Sequence, residues 1–456
     1  MRFYGREREL DRIKREFSKL KNRSSAVVLV GRRRIGKTRL VFESQKQTGF
    51  LYFFVGKKSM RDLLVEWSEE IRSHLGDVFG EFTDFGQMLA YLFHKAKERE
   101  IIVFFDEVQN LLSVNPGAFS DLQKHFDINR ESSSLGLIFA GSSYSMIEKI
   151  FSGAKEPLFG RATEFIRLGY LPVEVQKQIL EDHGMYSAGN LLHCFSIFDG
   201  IPRFYEEIVE TGTNDFKEAL KNLMVEKEFL WEEGMNMMRE EFGKDYSVYH
   251  SILSAIAAGK RTRNDIAQAA NTSPGGYLQN LEKIYNLINK EKPVFSRTAK
   301  SGVQRYYLTD NFYEFWFRVI SRFWALREIN QKERAFDRVW ESLPAFEGYK
   351  LETLIRRMII ERNPFELTFD RIGRHWDRTG ENELDLVLVD DENRLAHVVE
   401  VKRNLSKAAK ASEIRKLYGK IAAVPAFGDY EVTCYTAGLE ENQIVIQNET
   451  GDRFVL

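Results

Sequence analysis

Cysteine is nearly absent from this chain: Cys194 and Cys434 stand far apart and match no metal-ligand spacing. That excludes a disulfide framework and a zinc finger, and it suits a reducing compartment. Long apolar runs are missing as well, since none approaches the roughly 18 residues of a membrane span. The opening "MRFYGREREL" is charged and runs straight into a helical pattern, with no targeting segment. The expectation is a cytoplasmic protein without a membrane partner. An excess of either charge is lacking too, because 66 basic side chains meet 67 acidic ones. No global field marks the chain for nucleic acid or lipid, so any basic surface has to be local. What is present is length: 456 residues exceed one ordinary core and predict two to four domains.

"VVLVGRRRIGKTRL" reads as a buried strand, a tight loop and a helix starting near Gly36. This is G-x-x-x-x-G-K-T in the context it requires. Gly31 and Gly36 let the backbone turn its N–H groups around phosphates, Lys37 can reach the β- and γ-phosphates, and the Thr38 hydroxyl can hold Mg²⁺. The candidate ATP cradle is therefore Gly31, Arg32, Arg33, Arg34, Ile35, Gly36, Lys37 and Thr38, with Arg39 just beyond. About seventy residues on, "IIVFFDEVQN" is an apolar run ending in Asp106 and Glu107. A strand apolar on both faces belongs inside a parallel sheet, and such sheets bind ligands at the C-terminal ends of their strands. Asp106 is the candidate that holds Mg²⁺ through water, and Glu107 the group that polarises the attacking water. "LGLIFAGSS" ends in Ser142, which either orients water or the γ-phosphate or caps the next helix. With "GFLYFFVG" and "TEFIRLGYL" these runs predict a five-stranded parallel sheet, with helices over 61–76, 87–98 and 143–151.

"FYGREREL", "DEVQN", "AGSSYSMI", "PLFGRATEFIRLGYLP" and "DGIPRFYEEI" follow one another in the order of the archaeal ATPase family, a group of AAA+-related P-loop proteins, and the resemblance covers roughly residues 1–225. It implies that Arg161 is an arginine finger or nucleotide sensor and Arg203 a second sensor in a helical lid, the alternative for each being a surface ion pair. A finger acts in trans, which brings in a homo-oligomer as partner.

The segment from "YHSILSAIAAGK" to "RYYLTDNFYEFWF" parses as helices over 249–258, 262–269 and 275–288 followed by two strands, a winged helix-turn-helix. The loop "SRTAKSGVQR" carries Arg297, Lys300 and Arg305, as a wing that contacts DNA phosphates would. The recognition helix offers Tyr277, Gln279, Asn280 and Lys283 to bases, while the alternative is a rigid spacer or protein dock. "FYEFWFRVISRFWAL", 312–326, reads as one aromatic amphipathic helix packed as a core between domains, the alternative being a base-stacking platform.

In "ELDLVLVDDENRLAHVVEVKR" the runs 384–390 and 395–401 read as a hairpin. A symmetric turn sets Asp390 against Leu395, Val389 against Ala396 and, further along, Asp385 against Glu400. Two carboxylates facing each other on apolar strands destabilise a hairpin unless a cation lies between them, and Mg²⁺ or Mn²⁺ suits such ligands. Lys402 shares the face of Glu400 and could activate a water; a plain Lys402–Glu400 pair is the alternative. His397 points to the other face, and His375 stays open. This D-x(14)-E-x-K pattern resembles the PD-(D/E)xK, restriction-endonuclease-like nucleases, and "IGRHWDRTGENELDLVLVD" with "HVVEVKR" resembles the DUF234 region found behind archaeal ATPases. By that resemblance Asp385, Glu400 and Lys402 are catalytic and Glu352 is the auxiliary helix acid, with Glu347 as its rival.

The expected fold class is α/β: a P-loop NTPase parallel sheet (1–171) with a helical lid and connector (172–245), a winged helix (246–310), a helical linker (311–340) and a restriction-endonuclease-like α/β domain (341–456). The expected function is Mg²⁺-dependent ATP hydrolysis joined to binding, and cutting, of DNA. The alternative is a nucleotide-controlled switch with an inert nuclease fold.

Overall fold

The computed structural model describes residues 1–46, 49–76, 80–296, 304–377, 382–405 and 410–456. These fall into two units, the first comprising Met1–Tyr170, Ile201–Arg203 and Lys283–Tyr285, the second Leu171–Gly200, Phe204–Glu282 and Asn286–Leu456.

The first unit is built on β1 (Ser25–Gly31), β2 (Leu51–Phe54), β3 (Ile101–Asp106), β4 (Leu135–Gly141) and β5 (Glu164–Leu168). They form one sheet in the order β2-β3-β4-β1-β5, and every pairing in it is parallel. Residues of β1, β3 and β4 are buried throughout, as the unbroken apolar runs require of central strands covered on both faces. Helices Met60–Leu75 and Phe85–Lys95 start where Ser59 and Asp84 accept the N–H groups of Asp62 and Gln87, the N-cap bond that fixes a helix start. Their apolar faces pack Trp67, Phe85 and Leu89 with Phe53, Phe105 and Phe139 of the sheet. Tyr144–Ser152 completes the three predicted helices.

The second unit begins with helices Val173–Asp182 and Ala188–Phe198 and later carries Tyr246–Ala257, Arg263–Ala270 and Gly275–Lys283. Arg263–Ala270 opens on a reciprocal capping box between Thr262 and Asp265. The third of these three helices stops at Lys283 instead of 288, because Ile288 already belongs to β6 (Ile288–Glu291), which pairs antiparallel with β7 (Arg305–Leu308). The single aromatic helix expected over 312–326 is broken: Asn311–Arg318 ends at Val319, whose backbone leaves the helical region (φ −121°, ψ −65°), and a short 3-10 turn leads to Trp324–Glu328. Phe312, Tyr313, Phe315, Trp316 and Phe317 are all buried, and so are Asn311 and Glu314 between them, so this segment is core on every side.

A 31-residue helix, Lys332–Arg362, precedes a six-stranded sheet ordered β13-β12-β11-β10-β9-β8. Its strands are β8 (Arg371–His375), β9 (Leu384–Asp390), β10 (Leu395–Lys402), β11 (Glu431–Glu440), β12 (Gln443–Asn448) and β13 (Arg453–Val455). Only β10 and β11 run parallel, and Lys410–Ala422 lies between them in the chain, the helical crossover that parallel neighbours need. The long helix is anchored at several points. Arg357 grips the Asp199 carboxylate, Glu361 accepts the Val173 N–H, and Lys350, fully enclosed, donates to Glu314 and Asn311.

Candidate functional site

The glycine loop leaves β1 at Gly31, and Gly36 stands at φ +92°, a backbone that side chains with a Cβ rarely adopt. A Cβ at Gly31 would lie 2.7 Å from the Leu168 carbonyl oxygen, so both glycines are steric requirements. Helix Lys37–Ser44 begins directly behind the loop. Lys37 is 6% exposed and folds its ammonium back onto the Gly31 and Arg32 carbonyls, at 2.8 and 2.9 Å. Around it, Ile35 is buried, Arg32 donates to the Tyr170 hydroxyl at 2.9 Å, and Arg39 donates to the Met1 carbonyl. Arg33 and Arg34 complete the loop, Arg34 at φ 65°.

The Thr38 hydroxyl donates to Asp106 Oδ2 at 2.7 Å, and the Glu107 N–H donates to Oδ1 at 3.0 Å. Burial pushes the Asp106 carboxyl up, against the pull of the Thr38 bond and Lys37. One hydroxyl and one buried carboxylate form the all-oxygen donor set that a hard divalent cation takes, so these residues fit Mg²⁺. Glu107 sits in the left-handed region (φ 55°, ψ 41°), a strain that surrounding bonds must hold. Its Oε2 accepts from the Ser142 hydroxyl at 2.9 Å and from Gln109. Of the two readings of Ser142, the cap is not made: the N-cap of the next helix is Ser143. Gln109 and Tyr52, whose hydroxyl lies 3.3 Å from Asp106 Oδ2, are site neighbours that the sequence reading missed. Arg161 is held by Asp127 through two bonds of 3.2 and 2.8 Å, an ion pair at the surface. Arg203 lies in the first turn of Pro202–Val209, beside a Pro202 whose Cγ is 3.9 Å from where a Gly36 Cβ would be.

In the second unit the hairpin register is the one the sequence predicts, from Asp390 against Leu395 to Leu386 against Val399. The ladder stops one step before Asp385 and Glu400, where the Asp385 carboxylate accepts the Val401 N–H at 2.8 Å. Burial raises the Asp385 carboxyl, and the Glu400 charge adds to it. Glu400 is 6% exposed and takes Lys402 on one oxygen and Lys420, from the following helix, at 3.5 Å on the other. Glu352 turns from the long helix toward Asp385. Burial raises its carboxyl, Arg374 donates to it at 2.9 Å and opposes that rise, and the Asp385 charge adds to it. Glu352 and Asp385 border a cavity of about 190 Å³ that Lys350, Arg356, Arg357 and Arg374 also line. The rival Glu347 is fully enclosed elsewhere, bonded to Arg403 and His193. Among the described residues no three His, Cys, Asp or Glu side chains form a ready metal cage. His397 is buried beside the Tyr435 hydroxyl, and His375 is buried against Phe295.

Of the basic residues expected on the wing, Arg297 and Lys300 lie outside the described residues. Arg305 donates to Glu383 at 3.0 Å and stacks on Trp376. Gln279 and Lys283 of the third helix are exposed, while Asn280 donates to the Tyr249 hydroxyl at 3.2 Å.

A family model for an ATPase domain predominantly from Archaea matches residues 3–208, and DUF234, described as archaeal and bacterial proteins of unknown function, matches 316–414. The chain is 30% identical over 452 residues to uncharacterized protein MJECL04 of Methanocaldococcus jannaschii, covering 94% of each. The chain belongs to this archaeal ATPase family. The Walker-type ATPase of Pyrococcus abyssi, 20% identical, shares its fold with a TM-score of 0.53 over 70% of this chain and 96% of that one. As a member of the archaeal ATPase family, the protein carries a P-loop ATPase domain that binds and hydrolyses ATP, followed by a DUF234-containing C-terminal region. Among the described residues of this family member no helix is long and apolar enough to cross a membrane.

Proposed function

We propose that ATP hydrolysis in the first unit governs a DNA-binding and DNA-cutting C-terminal half. In the nucleotide site, Thr38 and Asp106 would hold Mg²⁺, which when bound neutralises charge on the phosphates. Lys37 leaves its two carbonyl partners for the β- and γ-phosphates, and Glu107 accepts the proton of the attacking water. Arg203 senses the nucleotide from the lid. Arg161 serves a neighbouring copy in a homo-oligomer, giving up Asp127 to do so. The domain boundaries proposed are those of the sequence reading, with residues 246–310 as a winged helix that contacts DNA through Gln279 and Lys283, and the cytoplasm is the proposed compartment.

The observation that carries the cutting activity is the convergence of Asp385, Glu400, Lys402 and Glu352 where the β9–β10 ladder ends. This supports a restriction-endonuclease-like centre in which Asp385 and Glu400 would hold Mg²⁺ or Mn²⁺. Lys402 positions the attacking water, and Arg374 keeps Glu352 turned inward. A second reading has its own observation: Lys402 and Lys420 both neutralise Glu400, which favours an inert scaffold that only binds, under nucleotide control. The deciding experiment is cleavage of plasmid and single-stranded DNA with Mg²⁺ or Mn²⁺, with and without ATP, for wild type, Lys37→Ala and Asp385→Ala. Cleavage lost in Asp385→Ala, with ATP turnover lost only in Lys37→Ala, is the expected result. DNA binding without cleavage by the wild type in any condition transfers the function to the second reading.

A further inference from the structure

We propose that Tyr52 is a positioning residue of the nucleotide site: its hydroxyl fixes the Asp106 carboxylate in the orientation that meets a cation on Thr38. The inference rests on the reading that Thr38 and Asp106 hold Mg²⁺. Tyr52 lies on β2, at the edge of the first sheet, and pairs with Phe104, two residues before Asp106. Side chains two apart on a strand share a face, so Tyr52 reaches diagonally from β2 to the acid on neighbouring β3. The hydroxyl stands 3.3 Å from Asp106 Oδ2. That distance is long for a bond between oxygens, and site bonds of this kind tighten when ligand arrives.

The ring has little freedom to leave. Its centroid is 5.6 Å from that of Phe42 and 5.5 Å from that of Phe104, and the Tyr52 N–H is fastened to Glu70 at 3.1 Å. Three donors therefore converge on one carboxylate: Thr38 and Tyr52 on Oδ2, and the Glu107 N–H on Oδ1. Their duties differ. Thr38 Oγ1 is itself the candidate cation ligand, and the Glu107 N–H moves with the residue that handles the attacking water. Tyr52 comes from a separate strand and has no part in the reaction, so it is the donor that holds Oδ2 still while the other two change. It also forms a wall of an open groove of about 730 Å³ that Phe42, Phe50, Glu70 and His74 share. Asp106 is thus one side chain away from the outer surface of the unit.

The test is ADP binding measured with and without Mg²⁺, with turnover as a second readout, on wild type, Tyr52→Phe, Phe104→Leu and Asp106→Asn. Tyr52→Phe keeps the ring and removes only the hydroxyl. Its metal-free ADP affinity should equal that of wild type, while the gain in affinity on adding Mg²⁺ should shrink by about 3- to 10-fold, the scale of one ordinary net hydrogen bond. Phe104→Leu loosens the packing under the ring, so it should melt at a lower temperature yet keep the Mg²⁺ gain. A full Mg²⁺ gain in Tyr52→Phe overturns the assignment. So does an equal loss in Phe104→Leu, which would make ring packing the cause. Asp106→Asn separates the two layers: if it keeps the Mg²⁺ gain, the metal reading itself fails, whereas loss there beside a normal Tyr52→Phe removes Tyr52 alone.

Discussion

Asp385 and Asp390 occupy the two ends of β9 and meet opposite fates. Asp390 accepts from the Thr368 hydroxyl and from both the backbone and side-chain nitrogens of Asn393. Those donors hold its carboxyl at about 2, below the ordinary 3.8. A lowered carboxyl contributes stability that is complete above its unfolded value and is lost as pH falls through the folded one. Asp390→Asn should therefore melt below wild type at pH 7, and the gap should close between about pH 4 and pH 2; a gap that persists at pH 2 would assign the loss to turn geometry. Among the described residues only the Val401 N–H donates to Asp385, and burial beside Glu400 works the other way. The pairing from Asp390 to Leu386 was legible in the sequence, because strand side chains alternate with period two and one turn fixes the register, but the ladder stops before Asp385 and Glu400. Tyr52 and Gln109 were not legible. Tyr52 meets Asp106 from another strand, and Gln109 meets Glu107 only because that residue takes a left-handed backbone; neither strand order nor positive φ leaves a mark in periodicity.

Elements were read most securely where their neighbours imposed a pattern. The five strands of the first sheet are unbroken apolar runs, and all five stand where the sequence sets them, but their order β2-β3-β4-β1-β5 had no local signal. The break at Val319 left no sequence signal because tertiary burial, here of the aromatic run from Phe312 to Phe317, overrides helical propensity, and the early end of Gly275–Lys283 left none because it is set by the pairing of β6 with β7. The helix Lys332–Arg362 hid its most unusual pair in the same way: Lys350, 3% exposed, and Glu314, 0% exposed, are a charge pair sealed in an interior. Removing one partner of such a pair costs far more than replacing both. Lys350→Met should destabilise the second unit by about 3–5 kcal/mol, and adding Glu314→Leu should recover most of it. Chemical denaturation of the two variants checks this, and additive losses would show that the pair is not coupled.

For the molecule as a whole, the useful boundary is the one its contacts draw. Residues 341–456, expressed alone, would carry Arg357 without Asp199 and Glu347 without His193. That fragment should be molten or insoluble by near-ultraviolet circular dichroism, whereas 171–456 keeps both partners and should give a cooperative melt. A well-folded short fragment would show that these bonds are dispensable. The Asp199–Arg357 bond has a further consequence. Asp199 falls inside the stretch matched by the archaeal ATPase family and Arg357 inside the stretch matched by DUF234. A lineage that exchanged one stretch for a foreign copy would strand a charge in the other, so the two are expected to be inherited as a block and to change by paired substitution.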